Sequence, residues 1–158
     1  MDVVALPQQG GCLCGAVRYS LGASPLLAYA CHCHDCQTRS GSAFALILVL
    51  RSADLTITGP VEATLATTPS GRQIELSLCP TCRIRILARD PKAADYASLR
   101  VGTLDDARWV VPIAQTWVES ALPWAVMPGV RIVGSCELFD FVALGQAWMA
   151  SAPRFAQP

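Results

Sequence analysis

At 158 residues, 53% hydrophobic and 15% charged, the chain has the composition of one folded domain and not of a disordered segment. Twelve basic and twelve acidic side chains cancel to a formal net charge of zero without a basic run or stripe, which argues against nucleic acid as a partner. The longest apolar run, Ala43 to Leu50, is far shorter than the roughly 20 residues of a membrane-spanning helix, so no membrane is expected either.

In chain order, Gly15 to Leu21 sets Val17, Tyr19 and Leu21 against Arg18 and Ser20, the alternation of a half-buried strand that ends before Pro25. Leu26 to Ala30 reads as a short strand leading into a cysteine cluster. Gln37 to Ser42 is polar and turn-rich. Phe44 to Leu50 reads as a buried strand, and Leu55 and Ile57 as another, closed by Gly59-Pro60. Val61 to Thr67 and Arg72 to Leu78 read as a hairpin around Pro69-Ser70-Gly71. A strand then leaves the last cysteine pair, with Ile84, Ile86 and Ala88 set against Arg83, Arg85 and Arg89. Ala97 to Leu104 and Val110 to Glu119 are strand-like, and Val142 to Ala150 is the best helix candidate. Many short strands separated by turn signals predict a mainly β domain. Trp117 and Trp124 read as core aromatics, Cys136 as a buried unpaired thiol, and Arg39, Arg72, Arg83 and Arg85 as surface charges, of which one or two reach an anionic substrate.

Seven of the eight cysteines form three clusters: Cys12 and Cys14; Cys31, Cys33 and Cys36; Cys79 and Cys82. Thiols spaced Cys-X-Cys or Cys-X-X-Cys aim two sulfurs into one small volume, as a tetrahedral metal requires. All-thiolate donors select zinc, Cu(I) or iron–sulfur over magnesium or calcium. Met1 to Gly11 has no basic stretch followed by an apolar core, which points to a reducing, cytoplasmic protein whose thiols bind metal instead of forming disulfides. Seven thiols are one short of two closed four-sulfur sites. Either the outer pairs share one metal and Cys31, Cys33 and Cys36 hold a second with a free position, or His32 or His34 closes the second site. The two arrangements carry different functions. A free position allows catalysis, whereas a saturated metal suits a non-catalytic scaffold or protein-interaction module. A redox-sensing thiol cluster is a third reading.

From Gly10 to Trp124 the chain resembles the glutathione-dependent formaldehyde-activating (GFA) family. The motifs that carry the likeness are Gly11-Cys12-Leu13-Cys14-Gly15-Ala16-Val17-Arg18-Tyr19, Cys31-His32-Cys33-His34-Asp35-Cys36, Ser40-Gly41-Ser42-Ala43-Phe44, Cys79-Pro80-Thr81-Cys82, Val101-Gly102-Thr103-Leu104-Asp105-Asp106, and Trp117-Val118-Glu119-Ser120-Ala121-Leu122-Pro123-Trp124. The resemblance implies a zinc-pinned, Mss-four-like fold of short antiparallel strands with a possible C-terminal helix. Residues 1–127 would form the zinc domain, and 128–158 an extension packed on it. It implies two zinc ions per chain, a structural one on Cys12, Cys14, Cys79 and Cys82 and a catalytic one on Cys31, Cys33 and Cys36. The implied activity is a carbon–sulfur lyase that joins glutathione to formaldehyde or another small aldehyde. A homo-oligomer is left open. Two departures stand out: Arg83 where the family usually has Gly after the last cysteine pair, and Gln115-Thr116 where it often has His-Ile. The first predicts a strained knuckle, because Gly supplies positive φ without penalty.

Overall fold

The computed structural model describes residues 3–134 and 140–156. Cys136 lies outside them. The strands are β1 (Val3–Ala5), β2 (Gln8–Gly11), β3 (Arg18–Leu21), β4 (Leu27–Cys31), β5 (Ala45–Arg51), β6 (Leu55–Thr58), β7 (Glu62–Thr67), β8 (Gln73–Leu78), β9 (Arg85–Arg89), β10 (Tyr96–Arg100), β11 (Ala114–Thr116), β12 (Arg131–Val133) and β13 (Arg154–Ala156). Two α-helices join them, α1 (His34–Ser40) and α2 (Phe141–Ser151). The protein is therefore mainly β, with a C-terminal helix, as the sequence predicts.

Eight strands form one sheet in the order β12-β11-β4-β5-β10-β9-β8-β7, and β2-β3-β6 form a second. Most pairs are antiparallel. The exceptions are β11, which runs parallel to both β4 and β12, and β1, which pairs parallel with β13. The central strands β4 and β5 are almost wholly buried on both faces, which explains their uninterrupted apolar sequences. Leu48, Leu50, Leu87 and Leu99 are fully enclosed. From α2, Leu144 and Trp148 join the same core, and Asp140 caps the helix by accepting a 2.9 Å bond from the Ala143 N–H.

Several sequence expectations are corrected. Gln37 to Ser42, read as polar and turn-rich, is helical as far as Ser40, the last residue of α1. The helix is short and has no buried residue, so it carries no apolar stripe to betray it. Its stop signal is Gly41, which adopts φ 62 at the C-cap. The strand read over Val110 to Glu119 shrinks to Ala114–Thr116, because Pro112 precedes it and Trp117 turns to φ 57. Trp124 is not a core residue, being 77% exposed; the tryptophan of the core is Trp148.

Gln115 has a structural role. It is fully buried, its Nε2 donates to the carbonyls of Met127 (2.8 Å) and Val130 (3.1 Å), and its Oε1 accepts from the Met127 N–H (3.1 Å). The amide thus satisfies three backbone groups and fastens the turn at 127–130 to β11 before β12 begins. An amide carries both donor and acceptor and does this where an imidazole has too few groups.

Candidate metal centre

The two outer cysteine pairs sit on matching turns. In the first, the Cys12 N–H donates to the Val17 carbonyl (2.9 Å), and Gly15 takes φ 80. In the second, the Cys79 N–H donates to the Ile84 carbonyl (2.9 Å), and Arg83 takes φ 62. The pairing between β8 and β9 slips register between Ser77 and Leu78, immediately before Cys79. Such a slip re-aims the side chains that follow it. The turns bring Cys12, Cys14, Cys79 and Cys82 together, with all four sulfurs within 4.8 Å of one another.

Arg83 bears out the expected strain. Its guanidinium pairs with Glu62 on β7, but both side chains are about half exposed, where solvent screening leaves such a pair little net worth. A left-handed backbone costs a non-glycine residue roughly 1–2 kcal/mol. Arg83→Gly is therefore expected to raise the thermal midpoint by a few degrees, at about 2–4 °C per kcal/mol for a domain of this size. A lower midpoint would mean that the Glu62 pair outweighs the strain.

Geometry supports metal binding by the outer group. The Cys12 and Cys14 sulfurs are 3.5 Å apart, and Cys14 and Cys79 3.7 Å. A tetrahedral ion with Zn–S bonds of about 2.3 Å places its sulfurs about 3.8 Å apart, whereas a disulfide requires about 2.05 Å. All seven described cysteines are free. Burial opposes ionisation of Cys12, but the Val17 N–H at 3.2 Å and the neighbouring thiols outweigh it and hold it down to about 6.

The inner group is Cys31, Cys33 and Cys36, again with all sulfurs within 4.8 Å and with Cys31 and Cys33 3.5 Å apart. Cys31 ends β4. Cys33 is the N-cap of α1, its sulfur accepting from the Cys36 N–H, and Cys36 stands on the helix's first turn. Among the described residues no histidine joins this group. His32 is fully buried and packs on Phe44 with ring centroids 5.3 Å apart; Gln115 and the Ala43 backbone face it, but neither reaches hydrogen-bond geometry. Burial lowers its pKa, so the ring is neutral. Hydrogen bonds from Cys31 and Cys33 hold the Cys36 thiol down to about 2, aided by the charges of Arg100 and Arg85, while the Cys31 thiol is pushed up.

The two groups differ in surroundings. Cys31, Cys33 and Cys36 line a cavity of about 660 Å³; none of the outer four does. Such a volume lies within the roughly 300–1,000 Å³ of small-molecule sites. Asp35, Trp117 and four arginines share the lining: Arg39, Arg72, Arg85 and Arg89. Three of the four arginines that the sequence offered as surface charges therefore face the cavity, and only Arg83 stays outside it. Arg85 is a correction to that reading, since burial and then the like charge of Arg100 push its guanidinium down to about 10. The Arg85 Nε and both Arg100 Nη atoms are buried without a hydrogen-bond partner among the described residues. Arg100 carried no sequence signal, because a single arginine ending an apolar strand reads as a charged flank. Trp117, in the left-handed region, is held where strained residues commonly cluster, at the edge of a site.

No helix among the described residues is long and apolar enough to cross a membrane. No curated protein matches the chain. A crystal structure of a Rhodobacter sphaeroides protein is similar over 61% of this chain and 87% of that one, at 24% identity and a TM-score of 0.48. The profile described as "Glutathione-dependent formaldehyde-activating enzyme" matches residues 7–120, which hold both cysteine groups, and the chain belongs to that family.

Proposed function

We propose that this protein is a zinc-dependent enzyme of the carbon–sulfur lyase type that adds the thiol of glutathione to a small aldehyde. Cys12, Cys14, Cys79 and Cys82 would hold a structural zinc, and Cys31, Cys33 and Cys36 would hold a second on three protein sulfurs instead of four. The observation that carries this reading is the asymmetry of the two groups: four sulfurs outside the cavity, three sulfurs lining it. Zinc on three thiolates would supply a site for the incoming sulfur and lower its pKa.

The chain's own residues do the rest. Three ligand thiolates around a divalent ion leave a net charge of about −1, and a fourth sulfur brings it to about −2. A buried cation without a counter-anion is costly. Arg85 and Arg100, both near Cys36, supply the two balancing positive charges. This gives a function to the buried Arg85 Nε and Arg100 Nη atoms, which have no hydrogen-bond partner among the described residues. Arg39 and Arg72 at the cavity wall suit the carboxylates of glutathione. In the addition, sulfur bonds to the carbonyl carbon, the C=O π bond breaks, and the thiol proton ends on oxygen. No oxidant or reductant is consumed. Asp35, on the first turn of α1 beside Cys36 and in the cavity lining, is the residue to which this reading gives the passage of that proton. A reducing, cytoplasmic setting accompanies this reading.

The test is exchange spectroscopy by NMR on the zinc-loaded protein with glutathione and formaldehyde. Interconversion with S-hydroxymethylglutathione is expected to run well above its spontaneous rate. No acceleration by a protein carrying both zinc ions would overturn the proposal.

A further inference from the structure

The cavity is far larger than a one-carbon aldehyde needs. Beside its thiols and arginines, the lining includes an apolar group: Leu26, Ile47 and Val49 from the β4–β5 side, and Phe141 and Val142 from the first turn of α2. Helix α2 lies outside the residues 7–120 that match the family model. The helix is anchored, because Leu144 and Trp148 are buried in the core. Phe141 and Val142 remain 53% and 72% exposed. Gly145 also lines the cavity, and a Cβ there would meet only the Leu26 carbonyl, at 3.8 Å. The absent side chain leaves room between the helix and β4. Formaldehyde has no carbon chain to cover such a surface.

We propose that the aldehyde taken by this site carries an apolar body several carbons long, seated between β4–β5 and α2. The inference rests on the thiol–aldehyde reading and deepens it by naming the aldehyde class. The bond change is the same: sulfur adds to the carbonyl carbon, and the thiol proton goes to oxygen. Each methylene moved from water into the apolar part of the cavity contributes about 0.8 kcal/mol at full burial, about fourfold in affinity.

The test uses S-alkylglutathiones, stable thioethers shaped like the adduct, titrated calorimetrically into the zinc-loaded protein. S-hexylglutathione is expected to bind at least about tenfold more tightly than S-methylglutathione, well within the gain that five methylenes allow. Val142→Glu, on an exposed position that threatens the fold little, is expected to cut that gain to less than about threefold by placing a charge on the wall. Val111→Glu, equally exposed and outside the cavity, keeps the gain. A flat series, or a gain that survives Val142→Glu, overturns the inference. Turnover is measured alongside with formaldehyde and with hexanal. Formaldehyde turnover with a flat series overturns only the apolar seat and leaves the proposed function standing. A chain-length gain without adduct formation from either aldehyde supports the seat and removes the thiol–aldehyde reading.

Discussion

Cys33→Ser is expected to keep the fold, lose about one of two zinc ions per chain and slow adduct formation by at least about 100-fold, since a site of this kind draws on the positioning term of about 7–11 kcal/mol. Serine is chosen because the Cys33 sulfur also caps α1, accepting from the Cys36 N–H at 3.4 Å. A hydroxyl retains that cap, which is worth about 0.5–2 kcal/mol, while removing the soft thiolate. The thermal midpoint should therefore move little, because the outer four cysteines are untouched. Zinc quantification, circular dichroism and the exchange assay on one preparation separate the two effects. Unchanged turnover after loss of one zinc would show that the inner sulfurs do not carry the reaction.

Cys79→Ala is expected to do the opposite, abolishing the fold before any question of activity arises. Cys79 is fully buried and starts the turn between β8 and β9. Through the four-sulfur group, that end of the eight-stranded sheet is tied to the Cys12–Cys14 turn, which lies between β2 and β3 of the small sheet. Apparent binding free energies of structural zinc are about 10–16 kcal/mol, comparable to the whole net stability of about 5–15 kcal/mol of a domain. Losing even about 5 kcal/mol would lower the midpoint by roughly 10–20 °C. A strong chelator applied to the unsubstituted protein should reach the same state. Melting curves of the variant and of the chelated protein check this, and a variant melting within a few degrees of the parent would show that this group does not pin the fold.

Much of the architecture was legible because its signals are local. The buried strands β4 and β5 are continuous apolar runs, the β7–β8 hairpin is marked by its Pro-Ser-Gly turn, and α2 shows as the apolar stretch Val142 to Ala150. The cysteine groups were legible because near neighbours in sequence must also be near in space. What the sequence hid depends on distant contacts. Strands β1 and β13 are only three residues each and exist through pairing across nearly the whole chain. Helix α1 is stabilised by caps and by the cysteines at its start, not by an apolar face. Arg85 looked like one tooth of a solvated alternation. On β9, however, residues 86–88 are all buried, and the Arg85 position faces the cavity, so a charge there is enclosed. Whether His32 or His34 completes the inner group was likewise undecided by spacing. Among the described residues neither joins the inner sulfurs, which the end of β4 and the start of α1 gather.

The most direct test of the central claim is sulfur coordination measured by X-ray absorption at the zinc edge, before and after glutathione is added. The account predicts about two zinc ions per chain, with an average of about 3.5 sulfurs each in the free protein, since one ion has four and the other three plus a lighter donor. Glutathione should raise the average to about four. An average that starts at four, or that stays unchanged when glutathione binds, would contradict an inner metal with a free position.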